Sequence, residues 1–201
     1  KSQYEENPYP RWRYGNSGSQ KIDFAQVINN EIDPNNISKP LFDDQLKILI
    51  AGCGTGNQIF QAQRYENAQI IAIDLSLSSL SYAQRKINEF NLDNTELIQM
   101  DILETSLLKK EFDIIECSGV LHHMNDPSTA LQTLLNVLKP NGFLKLGLYS
   151  QLARQHIVKA RQYISSKKLQ ANEIDIRHFR ETISSGKVPK LNSITQSPDF
   201  Y

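Results

Sequence analysis

Gly52-Cys53-Gly54-Thr55-Gly56 places three glycines within five residues, directly after the apolar run Leu46–Ala51. Such a loop lets the main chain approach a ligand that side chains would hold away. Two acids follow at the ends of the next apolar runs: Asp74 after Ile70–Ile73, and Asp101 after Glu96–Met100. A carboxylate in the first position suits the hydroxyl donors of a ribose. One in the second suits an exocyclic amine such as that of adenine. The chemistry these residues could do together is to hold a nucleoside.

The glycine spacing separates cofactor classes. Dinucleotide sites favour G-x-G-x-x-G, whose third glycine lets the following helix pack under a pyrophosphate. Here the spacing is G-x-G-x-G, with Asn57 after it. His122-His123 offers imidazoles that titrate near neutrality, and these are the only candidates for catalytic side chains. Adjacent histidines point in different directions, and no paired Cys or carboxylate spacing accompanies them, so no metal site is expected. Cys53 fills a position that takes a small residue, with no base nearby in sequence to activate it.

These residues need a scaffold that brings strand ends together. Leu46–Ala51, Ile70–Ile73, Glu96–Met100, Phe112–Cys117 and Phe143–Tyr149 read as five strands. Between them lie helices at Gln58–Tyr65, at Leu77–Phe90 with Ser76 as its cap, and at Ser128–Leu138. Lys139-Pro140-Asn141-Gly142 reads as a stop and turn. Continuous apolar strands alternating with helices predict a doubly wound, mainly parallel Rossmann-like α/β sheet covered on both faces. Ligands of such sheets settle at the carboxyl edge beside the first strand.

The outer segments differ in character. Residues 1–45 form an aromatic, proline-rich arm with Tyr4, Tyr9, Trp12 and Tyr14, followed by a short helix around Ile22–Asn30. Residues 46–150 are the α/β core. Residues 151–201 read as a mostly helical extension, with helices at 151–169 and 173–183 and polar coil from Ser184 to Tyr201.

Lys plus Arg and Asp plus Glu number 22 each, which gives no electrostatic reason to expect nucleic acid or an anionic membrane as partner. Two cysteines far apart form no disulfide framework and suit a reducing cytoplasm. No apolar run is long enough to span a bilayer. The chain opens on Lys1 and reads as a piece of a longer protein.

Residues 46–149 resemble the class I S-adenosylmethionine-dependent methyltransferases with a small-molecule type of fourth motif. The resemblance is carried by Ile48–Gly56, Ile73–Ser76, Met100–Leu103, Phe112–Cys117 with Val120–Met124, and Leu138–Gly142. It implies methyl transfer from S-adenosyl-L-methionine to a small-molecule or protein acceptor. It implies that Gly52, Cys53, Gly54, Thr55 and Gly56 wrap the methionine end of the cofactor. It also implies Asp74 and Leu75 at the ribose, Asp101 and Ile102 at the adenine, and Cys117 and Ser118 lining the end of the fourth strand. The arm Tyr4–Trp12 resembles the segment before this domain in bacterial proteins that carry tetratricopeptide repeats, which implies such repeats in the full-length chain.

Three departures accompany the resemblance. The family often has an acid two residues before the first glycine, near the methionine amino group; here that residue is Ile50. Ser118-Gly119-Val120-Leu121 stands where amine- and amide-methylating members have Asn/Asp-Pro-Pro-Tyr. No run matches the family's last two strands, so the sheet is expected to lack them. An NAD-linked oxidoreductase and a non-catalytic cofactor-binding interaction module are the alternative readings.

Overall fold

The computed structural model describes Glu5, Pro8, Trp12, residues 21–32, Pro34, residues 36–38, Phe42, residues 45–150 and residues 152–196. Tyr4, Tyr9 and Tyr14 lie outside the described residues. The chain divides into two compact units, Lys1–Leu148 and Tyr149–Tyr201.

The first unit is built on five strands: β1 (Leu46–Ala51), β2 (Ala68–Asp74), β3 (Thr95–Gln99), β4 (Phe112–Ser118) and β5 (Leu138–Gly147). They form one sheet in the order β3-β2-β1-β4-β5, and every pairing is parallel. Parallel neighbours need crossovers, and helices supply them. Successive side chains of a strand point to opposite faces. Ile48 and Ile50 of β1 therefore join a cluster with Phe24, Ile59, Leu80 and Ala83, while Leu49 and Ala51 join Ile102, Ala130 and Leu134. The first face is covered by α1 (Phe24–Glu31), α2 (Asn57–Ala62) and α3 (Leu77–Phe90). The second is covered by α4 (Pro127–Leu135) and the 3-10 segment Ile102–Leu108. With both faces buried, alternation disappears and each strand reads as an apolar run.

Two local expectations change. Lys139-Pro140-Asn141-Gly142 is no turn before β5; it lies inside β5, at an irregularity where the pairing shifts between Phe112 and Ile114. β5 is an edge strand, where a proline without an N–H and Asn141 at φ 62° can be accommodated by a bulge. Lys139 is fixed there by an ion pair of 2.7 Å with the buried Asp113, which also accepts from the Lys47 amide. Among the described residues no strand beyond these five joins the sheet.

The second unit comprises α5 (Gln155–Ser166), α6 (Glu173–Ser184) and the 3-10 segment Pro189–Gln196. The last replaces the coil expected after Ser184. Leu191 and Ile194, three residues apart, bury themselves against Ala160 and Ile183. Burial of those two side chains holds a stretch that is otherwise polar.

Candidate functional site

The carboxyl ends of β1, β2 and β4 meet at one edge of the sheet, and the glycine loop joins them there. Gly52 and Cys53 both donate their amides to the carbonyl of Ile73, at 2.9 and 3.0 Å, which binds the loop to the end of β2. Gly52 has φ +77°, and a Cβ there would stand 2.4 Å from Val120 Cγ2. Only glycine permits that contact with the segment after β4.

Asp74 is the hub of this edge. Its Oδ2 accepts from the Gly54 amide at 2.8 Å and its Oδ1 from the Ser76 amide at 2.9 Å. One carboxylate thus ties the loop after β1 to the start of α3. Leu75 beside it is exposed. Asp101 caps the 3-10 segment through its Oδ1 to the Leu103 amide, and Ile102 next to it is buried. Ser118 sits at the end of β4, and its carbonyl accepts from Gln58 Nε2 at 3.0 Å.

Several of the expected residues are enclosed by their neighbours. Thr55 and Cys117 are fully buried, and Cys53 nearly so. Burial, and then the nearby Asp74 carboxylate, push the Cys53 thiol's pKa up. Burial likewise pushes Cys117 up to about 11. Neither is a thiolate near neutrality, so neither is a nucleophile. His122 and His123 occupy the short 3-10 turn Leu121–His123 after β4, their ring centroids 4.2 Å apart. Among the described residues no group of His, Cys, Asp and Glu is arranged to hold a metal ion.

The arm reaches this edge as well. Trp12 donates its indole N–H to the Thr55 carbonyl at 3.1 Å, and its own carbonyl accepts from the Tyr82 hydroxyl. Its ring packs on Phe60 and stacks on Phe90. The Glu5 carboxylate accepts from the Leu77 and Ser78 amides at 2.8 and 3.1 Å, and Ser76 Oγ accepts from the Ser79 amide at 3.1 Å. The free amides of the first turn of α3 are thereby satisfied, two of them from the arm.

Two further polar residues at the edge are not among those expected from the sequence. Gln58 Oε1 is buried with no hydrogen-bond partner among the described residues. Glu116 is 5 % exposed and accepts from the Tyr65 hydroxyl at 2.5 Å. Gln58 lies two residues past the last glycine, which was the available signal; Glu116 stands within an apolar strand, where an acid is out of place. A buried acceptor without a donor, beside a loop of main-chain amides, fits a ligand that carries an ammonium group as well as a nucleoside.

A parallel sheet ordered 3-2-1-4-5, with a glycine loop after β1 and an acid ending β2, defines a nucleoside-binding α/β domain. The family model described as "Methyltransferase domain" matches residues 42–192. The chain belongs to that family and is a class I S-adenosylmethionine-dependent methyltransferase domain, its cofactor S-adenosyl-L-methionine. It is 33% identical over 112 residues to malonyl-[acyl-carrier protein] O-methyltransferase of Priestia megaterium, covering 55% of this chain and 39% of that one. It is 32% identical over 141 residues to the ubiquinone biosynthesis O-methyltransferase of Histophilus somni, covering 60% of this chain and 59% of the relative. The chain thus spans less than two thirds of either relative. The structure of PKMT2 from Rickettsia typhi in complex with AdoHcy has the same fold, with TM-score 0.64 and 22% identity over 88% of this chain and 34% of that one. No helix among the described residues is long and apolar enough to cross a membrane.

Proposed function

We propose that this protein binds S-adenosylmethionine at the carboxyl edge of β1, β2 and β4 and transfers its methyl group to a nucleophilic small molecule or protein side chain. The observation that carries the reading is Asp74, whose two oxygens join the glycine loop to α3. A carboxylate has about four acceptor positions, so hydroxyls of a ribose can be received by the two that remain. Leu75 offers an exposed apolar surface beside it, and Asp101 an acceptor at the end of β3. Gly52, Gly54 and Gly56 admit the methionine portion, and Cys53, Thr55, Ile102, Cys117 and Ser118 belong to the segments that would surround the cofactor.

When bound, S-adenosylmethionine would supply a methyl carbon already activated by its sulfonium, open to an acceptor's lone pair as the C–S bonding pair returned to sulfur. What the chain must contribute is alignment and exclusion of water. Malonyl-[acyl-carrier protein] O-methyltransferase and the ubiquinone biosynthesis enzyme are both named O-methyltransferases, which favours an oxygen acceptor. A hydroxyl acceptor must also lose a proton, and the turn after β4 supplies two imidazoles, His122 and His123. Balanced charge argues against a nucleic-acid acceptor, and two free, buried thiols at Cys53 and Cys117 agree with a cytoplasmic setting. The full-length protein carries tetratricopeptide repeats before residue 1 on the same reading, for which the arm's sequence is the support.

Calorimetry with S-adenosylmethionine, S-adenosylhomocysteine and NAD tests the proposal. The two sulfur nucleosides should bind and NAD should not; Asp74→Ala should abolish that binding. Binding of NAD alone, or an unchanged affinity in Asp74→Ala, would sink it.

A further inference from the structure

With S-adenosylmethionine as the ligand, the premise on which this inference rests, Ile50 leaves the cofactor's α-ammonium without the acid that the family often places there. Three observations converge on the replacement. First, Gln58 Nε2 is committed to the Ser118 carbonyl, which leaves Gln58 Oε1 as a buried acceptor with no donor among the described residues. A buried acceptor left unmet is costly, and an ammonium is a three-fold donor. Second, β1 and β4 pair in register at Ile50 and Glu116, so these side chains are neighbours on one face of the sheet. Third, the Glu116 carboxylate is buried, and its hydrogen-bond partner is the hydroxyl of Tyr65, whose pKa burial and Glu116 itself push up. A buried carboxylate favours cations nearby, and the Arg64 guanidinium, which donates to the same Tyr65 hydroxyl at 3.1 Å, supplies one of them. Gln58 belongs to the helix covering that same face, and Ser118 follows Glu116 by two residues, pointing the same way.

We propose that Gln58 Oε1 receives the α-ammonium of the cofactor, and that Glu116 supplies the countercharge which Ile50 cannot. The acid has moved one strand sideways, and an amide on α2 makes the contact.

The test compares two ligands on the full chain by calorimetry: S-adenosylhomocysteine, and 5′-methylthioadenosine, which keeps the nucleoside thioether and lacks the amino acid portion. Gln58→Ala should weaken S-adenosylhomocysteine about 10- to 100-fold, the range of a lost hydrogen bond to a charged group. Its affinity for 5′-methylthioadenosine should stay within about 3-fold. Glu116→Gln retains an acceptor for Tyr65 and should weaken S-adenosylhomocysteine alone, by roughly 3- to 10-fold. Equal weakening of both ligands in Gln58→Ala would mean a structural role and overturn the inference, as would an unchanged affinity for S-adenosylhomocysteine. If the unaltered chain bound neither nucleoside, the cofactor reading itself would fail.

Discussion

Gly52 and Gly119 have nearly the same backbone conformation, φ +77° and +78°, and entirely different surroundings. A Cβ on Gly52 would stand 2.4 Å from Val120 Cγ2 and 3.0 Å from Cγ1, whereas a Cβ on Gly119 would meet nothing within 4 Å. Placing alanine in the left-handed region costs roughly 1–2 kcal/mol at either site. At Gly52 the overlap with Val120 adds about 1–3 kcal/mol, because a partly buried valine has little room to retreat. Gly119→Ala should therefore destabilise by about 1–2 kcal/mol and Gly52→Ala by about 2–5 kcal/mol. Urea denaturation followed by circular dichroism measures both. Val120→Ala removes the two clashing methyls, so the double variant Gly52→Ala with Val120→Ala should regain about 1–3 kcal/mol relative to additivity. The pair of sites isolates sterics from backbone strain. Equal losses at Gly52 and Gly119, or no coupling between Gly52 and Val120, would refute the claim that the loop is glycine because the segment after β4 presses on it.

Trp12 is the single tryptophan, and its indole is held by Thr55, Phe60 and Phe90. Trp12→Ala should cost about 1.5–3 kcal/mol in urea denaturation, and in the unaltered chain the indole emission should shift to the red with the main transition; emission already at the solvated wavelength would argue against docking of the arm. Cys117 is neutral in the folded chain up to about pH 11, while in the unfolded chain its ordinary value is 9.0. Between those pH values the unfolded state binds fewer protons, so stability falls as pH rises. Cys117→Ala should show a shallower decline from pH 9 to pH 11, by about 2–3 kcal/mol across the window, and parallel curves would show that the thiol is not buried as described. Leu191→Ala should remove about 2–4 kcal/mol from the second unit, read as lost amide protection in α5 and α6 by hydrogen exchange. Protection equal to that of the unaltered chain would mean that the 3-10 segment is not part of that core.

The strands of this domain announce themselves because both faces of the sheet are covered, which turns Leu46–Ala51 and Phe112–Cys117 into unbroken apolar runs. The helix Leu77–Phe90 is legible to the residue, since Ser76 is a capping side chain placed directly before an apolar period. Lys139–Gly142 misleads for a physical reason: proline and asparagine mark turns and edge-strand bulges alike, and only the neighbouring strand decides which. Residues 189–196 are polar enough to read as coil, and their structure depends on two side chains finding Ala160 and Ile183, which no local pattern reveals. In the candidate site, the glycines, Asp74 and Asp101 stand out by type and spacing. Gln58 and Glu116 do not, because what distinguishes them is an absent partner and a cross-strand neighbour, both properties of three-dimensional position.

The edge of the sheet owes its shape to main chain more than to reactive side chains. Asp74 accepts from two backbone amides, Trp12 donates to a backbone carbonyl of the loop, and Glu5 accepts from two amides of α3. Each bond fixes a segment beside the cleft before any ligand arrives, and a site fixed in advance loses less to ordering when it binds. A transfer driven by an activated methyl carbon needs that kind of rigidity and no nucleophile of the protein's own, which agrees with thiols that stay protonated at Cys53 and Cys117. The pairing of β1 with β4 gives the proposed replacement for an acid at Ile50 its physical basis. Neighbouring strands lie about 4.8 Å apart, so exchanging Ile50 and Glu116 as the charged member of their pair keeps the negative charge on the same face and at the same depth. On that proposal the amino group would meet the Gln58 amide oxygen, and Glu116 would supply the charge.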